Sequence, residues 1–223
     1  MKDQAAIQLP TTDSGSNAAS KILNIAIGIM ALALLVTGGA LLYLHFRPLD
    51  QTMSSQERTL QRWKDTVDQN PDNSLVRANL GAAYLDMGDV DNAIEQLRFA
   101  LDQEPGSFTY MYKLGLAYRE ADQLDNSIQM FTSSAEGTPK SEKYSALYEA
   151  ATSAMMKGDN GAAKDYVQQS LADNDMIWNS HFLLGKLLEQ EGDTAGAKEQ
   201  YDAANKFNPG DPALQEALDR LSS

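Results

Sequence analysis

A period of 34 residues constrains this chain more than any other feature. The stretch "NLGAAYLDMGDVDNAIEQLRFALDQEP", Asn79 to Pro105, is followed by "KLGLAYREADQLDNSIQMFTSSAEGTP", Lys113 to Pro139, at that spacing (113 − 79 = 34). Leu80, Gly81, Tyr84 and Pro105 return as Leu114, Gly115, Tyr118 and Pro139. Repetition at a fixed interval of this length marks a stacked array, in which each unit buries its apolar face against its neighbours. With Ser74 as the first position, four units fall into register: 74–107, 108–141, 144–177 after a two-residue insertion, and 178–211.

The residue types that recur have a packing reason. The eighth position holds Gly81, Gly115, Ala151 and Gly185, the twentieth Ala93, Ser127, Ala163 and Ala197, and the twenty-seventh Ala100, Ser134, Ser170 and Ala204. Two helices approach closely only where small residues remove side chains. Large residues at the seventh (Leu80, Leu114, Leu184), eleventh (Tyr84, Tyr118, Leu188) and twenty-fourth (Leu97, Phe131, Val167, Tyr201) fill the space beside them. Gly88, Gly158 and Gly192 suit the left-handed residue that ends a helix, and Asp122 suits it less well. Pro105, Pro139 and Pro209 stop the second helix of their units. No stretch alternates as a strand would, so the fold class is all-α.

This pattern resembles the tetratricopeptide repeat (TPR) family over residues 74–211. Units one, two and four carry it most closely. Unit three departs, with Ala151 and Ala154 at the eighth and eleventh positions and Asp175 in place of proline. The resemblance implies a right-handed α-solenoid of helix hairpins. Residues 48–73 read as a linker and an N-terminal capping helix with Trp63 at its large core position. Residues 212–223 read as a C-terminal capping helix with Leu214, Leu218 and Leu221 on one face.

Upstream, residues 1–20 read as a disordered polar tail. From Ile22 to Phe46 there is no Asp, Glu, Lys or Arg for 25 residues (46 − 22 + 1 = 25), and Lys21 and Arg47 bracket the run. At about 1.5 Å per residue such a helix crosses a hydrocarbon core of about 30 Å. Residues 21–47 therefore read as a single transmembrane helix. The run is too long for the apolar core of a cleaved signal peptide. Gly28, Ala33, Thr37 and Gly38 would let a second membrane helix approach. A short polar tail before a first apolar segment favours an anchor with the bulk domain outside the cytoplasm, although the flanking positive charges do not separate the two sides. The expected location is thus the cell membrane, single-pass.

The chain carries a net charge of −13, and residues 1–47 contribute +1 of it, so −14 lies in the rest. Such a surface repels nucleic acid and anionic headgroups. There is no Cys, and the two histidines, His45 and His181, have no ligating companions at metal-site spacing. No phosphate loop, nucleophile elbow or zincin motif occurs. The expectation is no enzyme, no cofactor and no metal.

The family resemblance implies instead a concave groove lined by the first helix of each unit. On this chain the implied partner-binding positions are Asn79, Tyr112, Lys113, Leu116, Arg119, Tyr148, Glu149, Thr152, Met155, Phe182, Lys186 and Glu189. Ala78 and Ala82 stand where the chaperone-binding branch of the family carries Lys and Asn, so capture of chaperone tails is not expected. The stripe Tyr112, Tyr148, Phe182 suits a peptide or helical segment of a partner protein. The layout implies a membrane-anchored adaptor or scaffold that supports assembly or maturation of envelope complexes. The alternative is an accessory subunit held permanently in a membrane complex. The sequence leaves the oligomeric state open.

Overall fold

A computed structural model describes residues 29–30, 53–139 and 143–222, and the chain divides into two units, Met1–Met53 and Ser54–Ser223. In the first unit Ile29 and Met30 are helical and exposed. The polar tail, the remainder of the expected membrane segment with Gly28, Ala33, Thr37 and Gly38, and residues 48–52 lie outside the described residues. Among the described residues, no helix is long and apolar enough to cross a membrane.

The second unit is all-α. Its helices are α1 (Ser55–Gln69), α2 (Ser74–Asp86), α3 (Val90–Gln103), α4 (Phe108–Glu120), α5 (Leu124–Gly137), α6 (Lys143–Lys157), α7 (Asn160–Asp173), α8 (Trp178–Gln190), α9 (Thr194–Phe207) and α10 (Pro212–Ser222). They pack in chain order as a solenoid of helix hairpins, with α1 on α2 and α10 on α9 closing the two ends.

Turn chemistry explains the hairpins. Gly88, Gly158 and Gly192 take φ of 74°, 85° and 85°, and Asp89, Asp159 and Asp193 immediately after them cap α3, α7 and α9. A left-handed residue ends one helix while the next residue's carboxylate accepts from the first free N–H groups of the following helix. Unit two lacks both devices. Asp122 takes φ 56° despite its Cβ, and Gln123 makes no side-chain cap to α5. The double variant Asp122→Gly, Gln123→Asp is expected to raise stability by about 1–2 kcal/mol, read as a higher urea midpoint at unchanged slope.

Inside each hairpin the eighth position receives the twenty-fourth. A Cβ added at Gly81 would lie 2.7 Å from Leu97 Cγ, at Gly115 2.9 Å from Phe131 Cδ1, and at Gly185 2.5 Å from Tyr201 Cε1. Unit three keeps the sum of volumes by pairing Ala151 with Val167, the smallest of the four knobs. The serines at small positions do more than make room. Ser127 donates to the Gly115 carbonyl (2.9 Å), Ser134 to that of Phe108 (2.8 Å) and Ser170 to that of Tyr144 (2.9 Å), so these buried hydroxyls are satisfied.

The seams between units are not equal. α5 and α6 lie along each other as extensively as the helices within a unit, more so than α3 with α4 or α7 with α8. Ala135 and Ala146 permit this approach and form a small core of their own with Leu147.

Candidate partner-binding groove

Positions five, nine and twelve are separated by four and three residues, so each first helix presents them on one face, with position six beside them. On α2, α4, α6 and α8 all twelve expected residues are half-buried. Direct contacts join them across units. Lys113 on α4 donates to Asn79 Oδ1 on α2 at 3.4 Å. Tyr112 and Arg119 on α4 both reach Glu149 on α6, the hydroxyl at 3.3 Å and the guanidinium in a close ion pair. The side chains of Arg119 and Glu149 are each only 17% exposed, so their charges are partly withdrawn from water and hold the seam between units two and three.

Among the described residues the three aromatic rings of the stripe do not touch one another. Tyr112 packs edge-on to Phe131, with centroids 5.4 Å apart. Phe182 lies 5.6 Å from Tyr201 and 6.4 Å from Trp178, and the Lys186 ammonium sits 5.9 Å from the Phe182 centroid. Tyr148 and Met155 pack onto the core shared by units three and four, and the Thr152 hydroxyl donates back to the Tyr148 carbonyl at 3.0 Å. Leu116 and Lys113 line an open cleft of about 310 Å³ with Leu85 and Asp86.

Two charges on this face differ in how they are compensated. Burial pulls the Lys113 pKa below its ordinary value, with Asp86 opposing the shift, and its hydrogen bond to Asn79 is long. Burial likewise pushes the Tyr112 hydroxyl up. Glu189, by contrast, is held by the cap helix: Arg220 on α10 donates to both carboxylate oxygens, at 2.7 and 2.9 Å, and the Tyr201 hydroxyl donates at 2.8 Å. The Arg220 hydrogen bonds keep the Glu189 carboxyl below its ordinary 4.5, so this contribution is complete above that pH and is lost as pH falls through the lowered folded value. Acidification below pH 4.5 is therefore expected to speed hydrogen exchange in α10 more in the wild type than in Arg220→Gln, where the contribution is already absent.

Sequence reasoning missed Arg220, although a cation in the last turn of a terminal helix was a signal. It also assigned nothing to Asn179, whose buried Oδ1 on α8 has no hydrogen-bond partner among the described residues. His181 is accounted for by structure: its ring nitrogens lie 2.8 Å from Gln200 Oε1 and 2.8 Å from the Asp175 carbonyl. Among the described residues no cluster of His, Asp and Glu could hold a metal.

Comparison with known proteins matches the chain to the family model described as tetratricopeptide repeat, over residues 78–142 and again over 148–212. No curated protein matches the sequence. Among solved structures, pilF of Pseudomonas aeruginosa is 16% identical, with 86% of this chain and 80% of that one covered and a TM-score of 0.68. MamA is 18% identical, covering 70% and 95% with a TM-score of 0.62. YrrB, described as a TPR protein with an unusual peptide-binding site, is 18% identical, covering 71% and 81% with a TM-score of 0.58. At these identities the likeness concerns the fold alone.

Proposed function

Because the chain belongs to the tetratricopeptide repeat family, we propose that it is a membrane-anchored adaptor. The face built by α2, α4, α6 and α8 holds a peptide or helical segment of a partner protein, and residues 21–47 confine that face to the membrane. The bulk domain lies outside the cytoplasm, where the adaptor supports assembly or maturation of envelope complexes. Anchoring restricts the stack to two dimensions and so raises its effective concentration towards membrane-bound partners. The description of YrrB as peptide-binding supports this use of the fold.

The observation that carries the reading is Lys113. A half-buried ammonium with one long hydrogen bond, its pKa lowered by burial, is a cost that the stack itself does not require. Such a group gains when a partner's carbonyl or carboxylate completes its hydrogen bonds. Lys113→Met is thus expected to leave thermal stability unchanged or raise it while weakening partner capture by roughly tenfold.

Co-purification from native membranes tests the reading. Tyr112→Ala with Tyr148→Ala should lose the partner while the chain stays in the membrane fraction. A partner fully retained by that variant, and lost only when the segment around Gly28 and Ala33 is altered, would instead mean a fixed accessory subunit. Protease accessibility in spheroplasts reports the side of the membrane.

A further inference from the structure

The third position of the units differs more than packing alone demands: Val76, Tyr110, Ala146 and Ser180. Tyr110 fills the seam between units one and two, buried to 6% exposure with its hydroxyl 3.4 Å from Ser74 Oγ. Ser180 closes the seam between units three and four through Ser170, at 3.1 Å. Ala146 ends at its Cβ. Beside Ala146 a cleft of about 330 Å³ opens, lined by Phe108, Tyr112 and Tyr144 with Thr109 and Ser145 beside them.

The chemistry of this cleft is narrow. Among the described residues none of its lining side chains is charged, in a chain of net charge −13. The hydroxyls of Ser134 and Thr138 donate to the carbonyls of Phe108 and Ser134, at 2.8 and 2.7 Å. Those of Thr109 and Tyr144 make no hydrogen bond among the described residues. A charged side chain placed here would lose hydration and, among the described lining residues, meet no counter-charge, since Glu149 beside Tyr112 is already paired with Arg119. An aliphatic one would bury area and leave both hydroxyls unmatched. A planar ring with a polar tip stacks on the aromatic walls and offers those hydroxyls a partner.

We infer that the cleft takes an aromatic side chain, tyrosine or tryptophan, of the partner segment held in the groove. This rests on the groove reading above and names the anchor that the partner must carry. Tyr112 belongs to both the cleft and the groove, so the anchor lies on the path of the bound segment.

The test is selection of short random peptides on the full-length protein in detergent micelles, followed by affinity measurement. Two variants plug the cleft. Ser145→Tyr fills it from a half-buried lining position and Thr109→Trp from an exposed one, neither in the Ala135–Ala146 core of the seam. The expected result is a shared Tyr or Trp in the selected peptides. Replacing it with Ala, or using whichever plugged variant keeps the wild-type unfolding midpoint, should weaken binding by roughly tenfold or more. Peptides that lose affinity on Tyr148→Ala but share no aromatic residue, or ignore both plugs, would overturn the inference and leave the groove reading intact. If no selected peptide responds to Tyr148→Ala, both fall.

Discussion

Tyr201→Ala is expected to destabilise the C-terminal half of the stack by about 3–5 kcal/mol. Tyr201 is fully buried, and three things converge on its ring. Its edge occupies the space left by the missing side chain of Gly185, Phe182 packs 5.6 Å away, and its hydroxyl donates to Glu189 at 2.8 Å. Truncation leaves a cavity between α8 and α9 and removes one donor from the carboxylate that α10 grips through Arg220. Tyr201→Phe separates the two effects and should cost only about 1 kcal/mol. The chain supplies its own reporters, since Trp63 sits in α1 and Trp178 in α8. In single-tryptophan variants the Trp178 transition should move to lower urea further than that of Trp63. Repeat stability is passed between neighbours, so a distant unit feels a local loss less. A shift of under 1 kcal/mol at Trp178 would mean that the ring is not the keystone of this hairpin.

Gly185→Ala is expected to cost about 1–3 kcal/mol, because the new methyl would sit 2.5 Å from Tyr201 Cε1 and a buried aromatic ring cannot give way without moving a helix. Unit three contains the remedy, an alanine at that position opposite Val167. Tyr201→Val in the Gly185→Ala background should therefore cost less than Tyr201→Val alone. The coupling in a double-mutant cycle should reach about 1 kcal/mol or more in the favourable direction. Additive losses would show that the eighth and twenty-fourth positions do not share one volume.

The unit pattern was legible in the sequence because packing repeats it: Gly81 with Leu97 and Gly115 with Phe131 impose their sizes at every period. What was not legible depends on atoms rather than sizes. Ser134 and Ala100 read alike as small residues, yet only the serine ties its helix to the Phe108 carbonyl. Arg119 and Glu149 read as two surface residues of the groove, whereas they neutralise each other across a seam. Glu189 was legible as a groove position, but its hold on α10 depends on Arg220, 31 residues along. Which residues share one face of the first helices was legible, since position within a helix decides it. How much of each side chain the stack consumes was not, because that depends on the spacing between units.

Site-specific photocrosslinking in native membranes tests the central claim most directly. A photoreactive residue at position 148, on α6 within the groove face, is compared with one at exposed Gln168 on α7. A discrete protein adduct from position 148, absent from position 168 and diminished by Lys113→Met, is the predicted result. Equal adducts from both positions, or an adduct from 168 alone, would contradict the claim that the face of the first helices holds the partner.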